Sequence, residues 1–139
     1  VDLERFRGFC KGFAPGRAEL LVIPMQKKQR HAFYREQLGR FRQVTAVFAV
    51  SDHYAIDLMH VLEEQGVSVP EDLSIAGFDD TPVCELVHPA LTTVRQDGAQ
   101  RAKIAIADLR ELREGKPVCA EIRLPVSLVV RNSTGKRKE

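Results

Sequence analysis

Two almost wholly apolar runs, "TAVFAV" at 45–50 and "LSIAGF" at 73–78, leave this chain few folds to choose from. An apolar run without polar alternation predicts a strand covered on both faces. Between the two runs, Ala55, Ile56, Met59 and Leu62 recur at helical spacing and give that helix its inner face. A strand–helix–strand order of this kind predicts parallel strands joined by a right-handed crossover. The expected class is therefore α/β, a parallel sheet flanked by helices. With 139 residues, 44% of them hydrophobic, the chain can bury one proper core, so one domain is expected.

The rest of the chain extends the rhythm. Leu3, Phe6, Phe9, Cys10 and Phe13 predict a helix over 2–13, ended by Pro15-Gly16. "AELLVIP" reads as a short buried strand, and Phe33, Tyr34, Gln37, Leu38 and Phe41 mark an amphipathic helix. Asp52 is the expected N-cap of the next helix, and Gly66 its left-handed stop. "LTTVRQD" at 91–97 is a short extended crossing. Asp97 then caps a helix to about Glu114, with Ala102, Ile106, Leu109 and Leu112 or Arg113 near one stripe, stopped by Gly115-Lys116-Pro117. "EIRLPVSLVVR" alternates as a closing strand, where Pro125 marks an edge or a bulge.

Composition narrows the functions. A net charge of +2 without a basic stripe gives this segment no means of binding nucleic acid alone, and "GKRKE" at the end reads as a solvated tail. No apolar run approaches the ~18 residues of a membrane span, and no signal peptide opens the chain. The start at Val1, in what reads as mid-helix, is that of a fragment. Cys10, Cys84 and Cys119 are far apart with no C-x-x-C spacing, which fits reduced thiols in the cytosol rather than a zinc or disulfide framework. His53, Asp57 and His60 share one helical face but lack a fourth ligand, so a polar helix surface explains them more cheaply than a metal. No nucleophile elbow, Cys–His arrangement or acid with a reason for a raised pKa is present, so no catalytic residue and no cofactor are expected.

In an open parallel sheet, ligands bind at the carboxyl ends of the strands. Here those ends carry Pro24-Met25, Ser51-Asp52 and Asp79-Asp80. Carboxylates there suit a hydroxyl-rich ligand, because an ionised Asp accepts short, strong bonds from OH donors. Phosphate would be repelled, and no glycine-rich phosphate loop exists. "DDTP" keeps two readings. One carboxylate points into a cleft while the other caps the turn or faces solvent, or the whole is a plain turn, which the chemistry alone favours.

The run "TAVFAVSDHYAIDLMHVLEEQGVSVPEDLSIAGFDDTPVCELVHPALTTVRQD", with "RFRGF" before it and "LPVSLVVRNST" after it, closely resembles the effector-binding core of the lactose/galactose-repressor family of bacterial transcriptional regulators. The resemblance implies mainly the C-terminal subdomain of a two-subdomain, periplasmic-binding-protein-like fold. Residues 1–96 would be its core, 97–119 a helix packing on the missing N-terminal subdomain, 120–131 a returning strand and 132–139 a tail. Such proteins carry an N-terminal helix-turn-helix domain and a hinge helix, and their two subdomains clamp a small effector. That effector is often a sugar, sometimes a purine, nucleoside or phosphorylated metabolite. They act in the cytoplasm as dimers or dimers of dimers, and would reach operator DNA only through the domain missing here.

By the same resemblance, Arg5, which opens "R-x-x-G-F", fixes the effector with a guanidinium fork that a lysine would not match. Asp79 accepts from effector hydroxyls, and Ser51 stands where many members have Asn. Met25 falls where some stack an aromatic ring, Gln96 lies near the cleft floor, and Asp52 is chiefly a cap. The helix carrying Ile56 and Met59, and the loop with Val83, Leu86 and Val87, match dimer-interface segments. An irregular loop exposing so many apolar groups is costly in a monomer, unless Leu86 and Val87 pack inward. A periplasmic sugar-binding protein is the rival reading, with "VPEDLSIAGFDD" and "LTTVRQD" favouring the regulator. An enzyme using Asp79 and Asp80 lacks partner groups.

Overall fold

The run at 73–78 does become the middle of a sheet. The computed structural model describes residues 2–13 and 17–136; Pro15-Gly16 and the last residues of "GKRKE" lie outside them. Its elements are α1 (Asp2–Phe13), α2 (Lys27–Glu36), α3 (Leu38–Phe41), β1 (Ala46–Phe48), α4 (Asp52–Glu64), β2 (Ser74–Asp79), a 3₁₀ turn (Pro82–Glu85), β3 (Thr92–Gln96), α5 (Gly98–Arg113) and β4 (Val126–Val129). The strands form one sheet in the order β1-β2-β3-β4. β1 and β3 flank β2 in parallel, with Val47 opposite Ile75 and Phe78 opposite Val94. β4 runs antiparallel to β3, so the sheet is mixed rather than wholly parallel.

Two expectations about strands need correction. "AELLVIP" forms no strand ladder among the described residues. Leu21 and Ile23 turn toward the core while Leu20 and Val22 stay exposed, so the segment is extended without a ladder. That leaves β1 at the sheet edge, three residues long, with Ala46 exposed and Val47 and Phe48 only half-buried. Its apolar run is covered on one side by an aromatic stack, Phe9 of α1 lying parallel to Phe48 at 5.4 Å between centroids.

The core lies between β2 and α4, where Leu58, Val61, Leu62, Leu73, Ile75 and Leu91 are buried with Tyr34 and Phe41 from α2 and α3. Each such side chain contributes about 1.5–3 kcal/mol when taken out of water. Met59 is part of this core, at 6% exposure, on the inner face that its helical spacing predicts. Gly66 ends α4 at φ 69°, where an L side chain would be strained. Asp97 caps α5 by accepting from the Gln100 amide at 2.8 Å. No residue of α5 is buried, and Ile106, Leu109 and Leu112 are all exposed, so its apolar stripe lacks cover in this chain.

Residues 132–135 are not a tail. Ser133 is fully buried; its Oγ donates to the Ile75 carbonyl at 2.6 Å and accepts from the Thr92 amide at 2.8 Å. The Ile75 amide in turn donates to the Ser133 carbonyl. Polar residues look like tail in a sequence, but here they satisfy backbone groups that the sheet would otherwise bury unpaired.

α2 is locked to α4 by charge. Arg30, 6% exposed, donates to Asp57 through Nε (3.0 Å) and Nη2, and to the carbonyls of Pro24 (3.2 Å) and Met25 (2.6 Å). His31 Nε2 and Lys27 Nζ stand 3.3 and 3.6 Å from the other Asp57 oxygen. Asp57 thus turns to α2, away from the grouping with His53 and His60, and His60 pairs with Glu64. Burial opposes the Asp57 charge, but the bonds from Arg30 and His31 and the charges of Arg30 and Lys27 outweigh it and hold the carboxyl below its usual range. A lowered folded pKa means stability present above the unfolded value of about 3.9 and lost as pH falls through the folded value. Urea unfolding should therefore show stability falling below about pH 4. Asp57→Asn should be less stable at pH 7 and flatter in that acid window; an unchanged acid slope would refute the assignment.

Candidate effector-binding site

The rim forms where β1 and β2 end and α1 crosses them. Arg5, on the second turn of α1, is held three ways. Its Nη1 donates to the Val50 carbonyl at 2.5 Å, its guanidinium carbon sits 3.9 Å over the Phe78 ring, and its Nη2 is 3.8 Å from Asp79 Oδ1. The same Asp79 oxygen accepts from Gln96 Nε2 at 2.5 Å. Gln96 receives a bond in turn from Arg101 Nη1 of α5 at 3.1 Å. Asp79 Oδ2 accepts nothing from the described residues, and the side chain stays 30% exposed, which leaves an acceptor open to solvent beside a guanidinium. This is a donor–acceptor pair of the kind that grips vicinal hydroxyls.

Ser51 joins the rim through its backbone, following the Val50 carbonyl that Arg5 holds. It is the N-cap of α4, extended at φ −152°, and its side chain makes no capping bond. Asp52 is not the cap and not an effector contact. It is the first residue of α4 and fully buried: Oδ1 accepts from Thr93 Oγ1 (2.5 Å), and Oδ2 from the Thr81 amide (2.8 Å) and Thr81 Oγ1 (3.0 Å). Met25 is 80% exposed; the Tyr54 hydroxyl reaches its sulfur at 3.4 Å, and it shares no hydrogen bond with the Arg5–Asp79–Gln96 group.

The adjacent carboxylates diverge, as one of the two readings of "DDTP" requires, although Asp80 neither caps a turn nor faces solvent. Its side chain is 7% exposed; Arg95 Nε bonds Oδ2 at 2.5 Å and Arg131 Nη2 forms an ion pair with Oδ1 at 2.8 Å. Burial works against its charge, yet the contacts with Arg95 and Arg131 outweigh it and keep its pKa below the usual carboxylate value. Phe78, Arg95, Arg131 and the two threonines were missed at the level of sequence. Only Phe78 left a signal, an aromatic directly before the acidic pair.

An α/β sheet with a charged, hydroxyl-matching rim at its strand ends defines a small-molecule-binding domain. Residues 3–134 match the family model described as a periplasmic binding protein-like domain. The chain is 47% identical over 70 residues to the transcriptional regulator GalS of Salmonella typhimurium, covering 50% of this chain and 21% of that protein. It is 43% identical over 94 residues to the regulator DegA of Bacillus subtilis, covering 65% and 27%. Against the lactose operon repressor of Escherichia coli it is 36% identical over 90 residues, covering 65% and 25%. Among solved structures, a LacI-family regulator of Enterococcus faecalis with bound ribose superposes at TM-score 0.85 and 32% identity, over 98% of this chain and 50% of that one. A CelR–cellobiose complex gives 0.81 at 28% identity, over 94% and 42%. The chain belongs to the periplasmic binding protein-like domain family, among the effector-binding domains of LacI-family regulators. It spans about a quarter of the length of these curated relatives. The relatives are named as regulators, not enzymes, and among the described residues no helix is long and apolar enough to cross a membrane.

Proposed function

We propose that this chain is the effector-sensing and dimerising portion of a cytoplasmic, DNA-binding transcriptional regulator, a repressor whose ligand is a small sugar-like or nucleoside-like molecule. One observation carries the reading: Arg5 and Asp79, remote in sequence, stand 3.8 Å apart on an accessible rim with an unoccupied carboxylate oxygen. Arg5 donates to the ligand, and Asp79 Oδ2 accepts from a hydroxyl. Gln96, bonded to Asp79, and Ser51, next to the Val50 carbonyl that Arg5 holds, add further polar contacts, and Met25 an apolar one. Binding acts by differential affinity for two orientations of this subdomain and its missing partner, and so resets the DNA-reading heads that lie outside this chain. The names of the relatives, and the ribose and cellobiose held by two similar structures, support this over a periplasmic transport protein. A helix-turn-helix or a signal peptide encoded ahead of Val1 separates the two.

Dimerisation uses Ile56, Val83, Leu86 and Val87, with Met59 beneath them. Leu86 is 75% exposed, while Ile56 and Val87, half-buried, line a concavity of about 690 Å³ beside it, with Met59 at its floor. Asp79→Ala in the complete regulator should weaken binding of a sugar found by thermal-shift screening about tenfold to a hundredfold, since bonds to a charged group are worth about 1.5–3 kcal/mol. Calorimetry that finds the affinity unaltered removes Asp79 from the site.

A further inference from the structure

Asp79 and Asp80 are consecutive non-glycine residues with left-handed backbone, φ 118° and 56°. Such residues persist only where their surroundings over-determine them. The surroundings of Asp80 do so. Its carboxylate is gripped by Arg95 and Arg131. Arg131 is itself fixed by bonds to the Leu91 carbonyl (2.9 Å) and Glu85 (3.0 Å), and its own amide donates to Thr92 Oγ1 at 2.9 Å. Asp79 stands opposite Arg95 in the β2–β3 ladder. Side chains alternate faces along a strand, so Arg95 and its neighbour Gln96 take Asp80 and Asp79 one on each side of the sheet. The like charges are thereby separated, and the turn that presents Asp79 is tied to the ends of β3 and β4.

We propose that Asp80 is a positioning residue for the effector site: held by Arg95 and Arg131, its carboxylate fixes the left-handed turn that aims Asp79 at the ligand and at Gln96, without touching the ligand itself. This rests on Asp79 being the effector's acceptor. A residue that merely adds stability would lower the melting temperature and leave the Asp79–Gln96 contact intact in the folded molecule, so that contact is the readout.

The side-chain amide of Gln96 reports it directly in ¹⁵N-labelled protein, full chain, by NMR without any ligand. Asp80→Asn keeps a residue tolerant of left-handed backbone, removes the charge and turns one of the two acceptor oxygens into a donor that neither arginine can use. It should return the Gln96 amide to the position of a free glutamine, although Asp80 does not contact it. Arg95→Gln, at a side chain 55% exposed, should do the same, and decides the matter if Asp80→Asn does not fold. Asp79→Asn is the control for the underlying site and must move the Gln96 resonance by itself. If it does not, the effector-site geometry fails. If it does, and folded Asp80→Asn leaves Gln96 in place, the positioning role of Asp80 is overturned while the site stands.

Discussion

Asp52→Ala lowers the unfolding free energy by about 3 kcal/mol or more, a large share of the roughly 5–15 kcal/mol that holds a domain together. The substitution deletes the acceptor for three donors at once, the fully buried Thr93 Oγ1 and the half-buried Thr81 Oγ1 and Thr81 amide. A buried donor left without a partner costs its whole desolvation, about 1–3 kcal/mol. The methyl group would also leave a void between α4 and β2. The site has been shaped for this carboxylate: a Cβ on Gly77 would lie 2.5 Å from Asp52 Oδ1 and 3.3 Å from its Cα, so glycine is what lets α4 approach the strand. Asp52→Asn, which keeps the shape and one acceptor, should fall between wild type and alanine. Urea denaturation measures all three; a cost below about 1 kcal/mol for alanine would mean the threonines find other acceptors. The consequence reaches the rim, because Thr81 follows directly on Asp79 and Asp80.

Asp52 also shows where sequence reading stops. An Asp before a helix predicts a cap from local chemistry, and the helix does begin there. Its acceptors serve threonines from a loop and a strand far along the chain, and nothing in the spacing of Asp52, Thr81 and Thr93 announces that meeting. The order of strands and helices was readable because it follows from periodicity, which is local. Hence α1, α4, α5 and β2 fell where expected, and Asp97 and Gly66 did their expected work. "AELLVIP" failed because a strand needs a neighbour, and apolar composition cannot supply one. Met59 lies on the inner face that its helical spacing gave it; its place among dimer-interface residues came from the resemblance alone. Arg5, Asp79 and Gln96, brought together at the rim, were located through family motifs; strand ends alone gave Asp79 and Ser51 but no arginine.

Arg30→Ala should cost about 3–5 kcal/mol, the usual result of removing one partner from a buried ion pair. Helical spacing alone would have made Arg30 an ordinary surface cation of a basic segment. Instead its fork spans two elements and a loop, with Asp57 of α4 on one side and the Pro24 and Met25 carbonyls on the other, and its plane lies 4.8 Å from the Tyr54 ring. Without it, Asp57 keeps only His31 and the more distant, 70% exposed Lys27 as neighbours. The segment leading to Met25 loses two carbonyl bonds and keeps the Tyr54 contact with the Met25 sulfur and the packing of Leu21 and Ile23. A double-mutant cycle with Asp57→Ala should return a coupling of about 0.5–3 kcal/mol, as groups in one network do. Replacing both partners by apolar groups of similar size should recover part of the loss, because the desolvation of two charges is then removed as well. Arg30→Lys should not rescue it: one ammonium cannot serve a carboxylate and two carbonyls from the same position. Thermal unfolding of these variants distinguishes this clasp from a plain surface pair, for which every one of them would stay within about 1 kcal/mol of wild type.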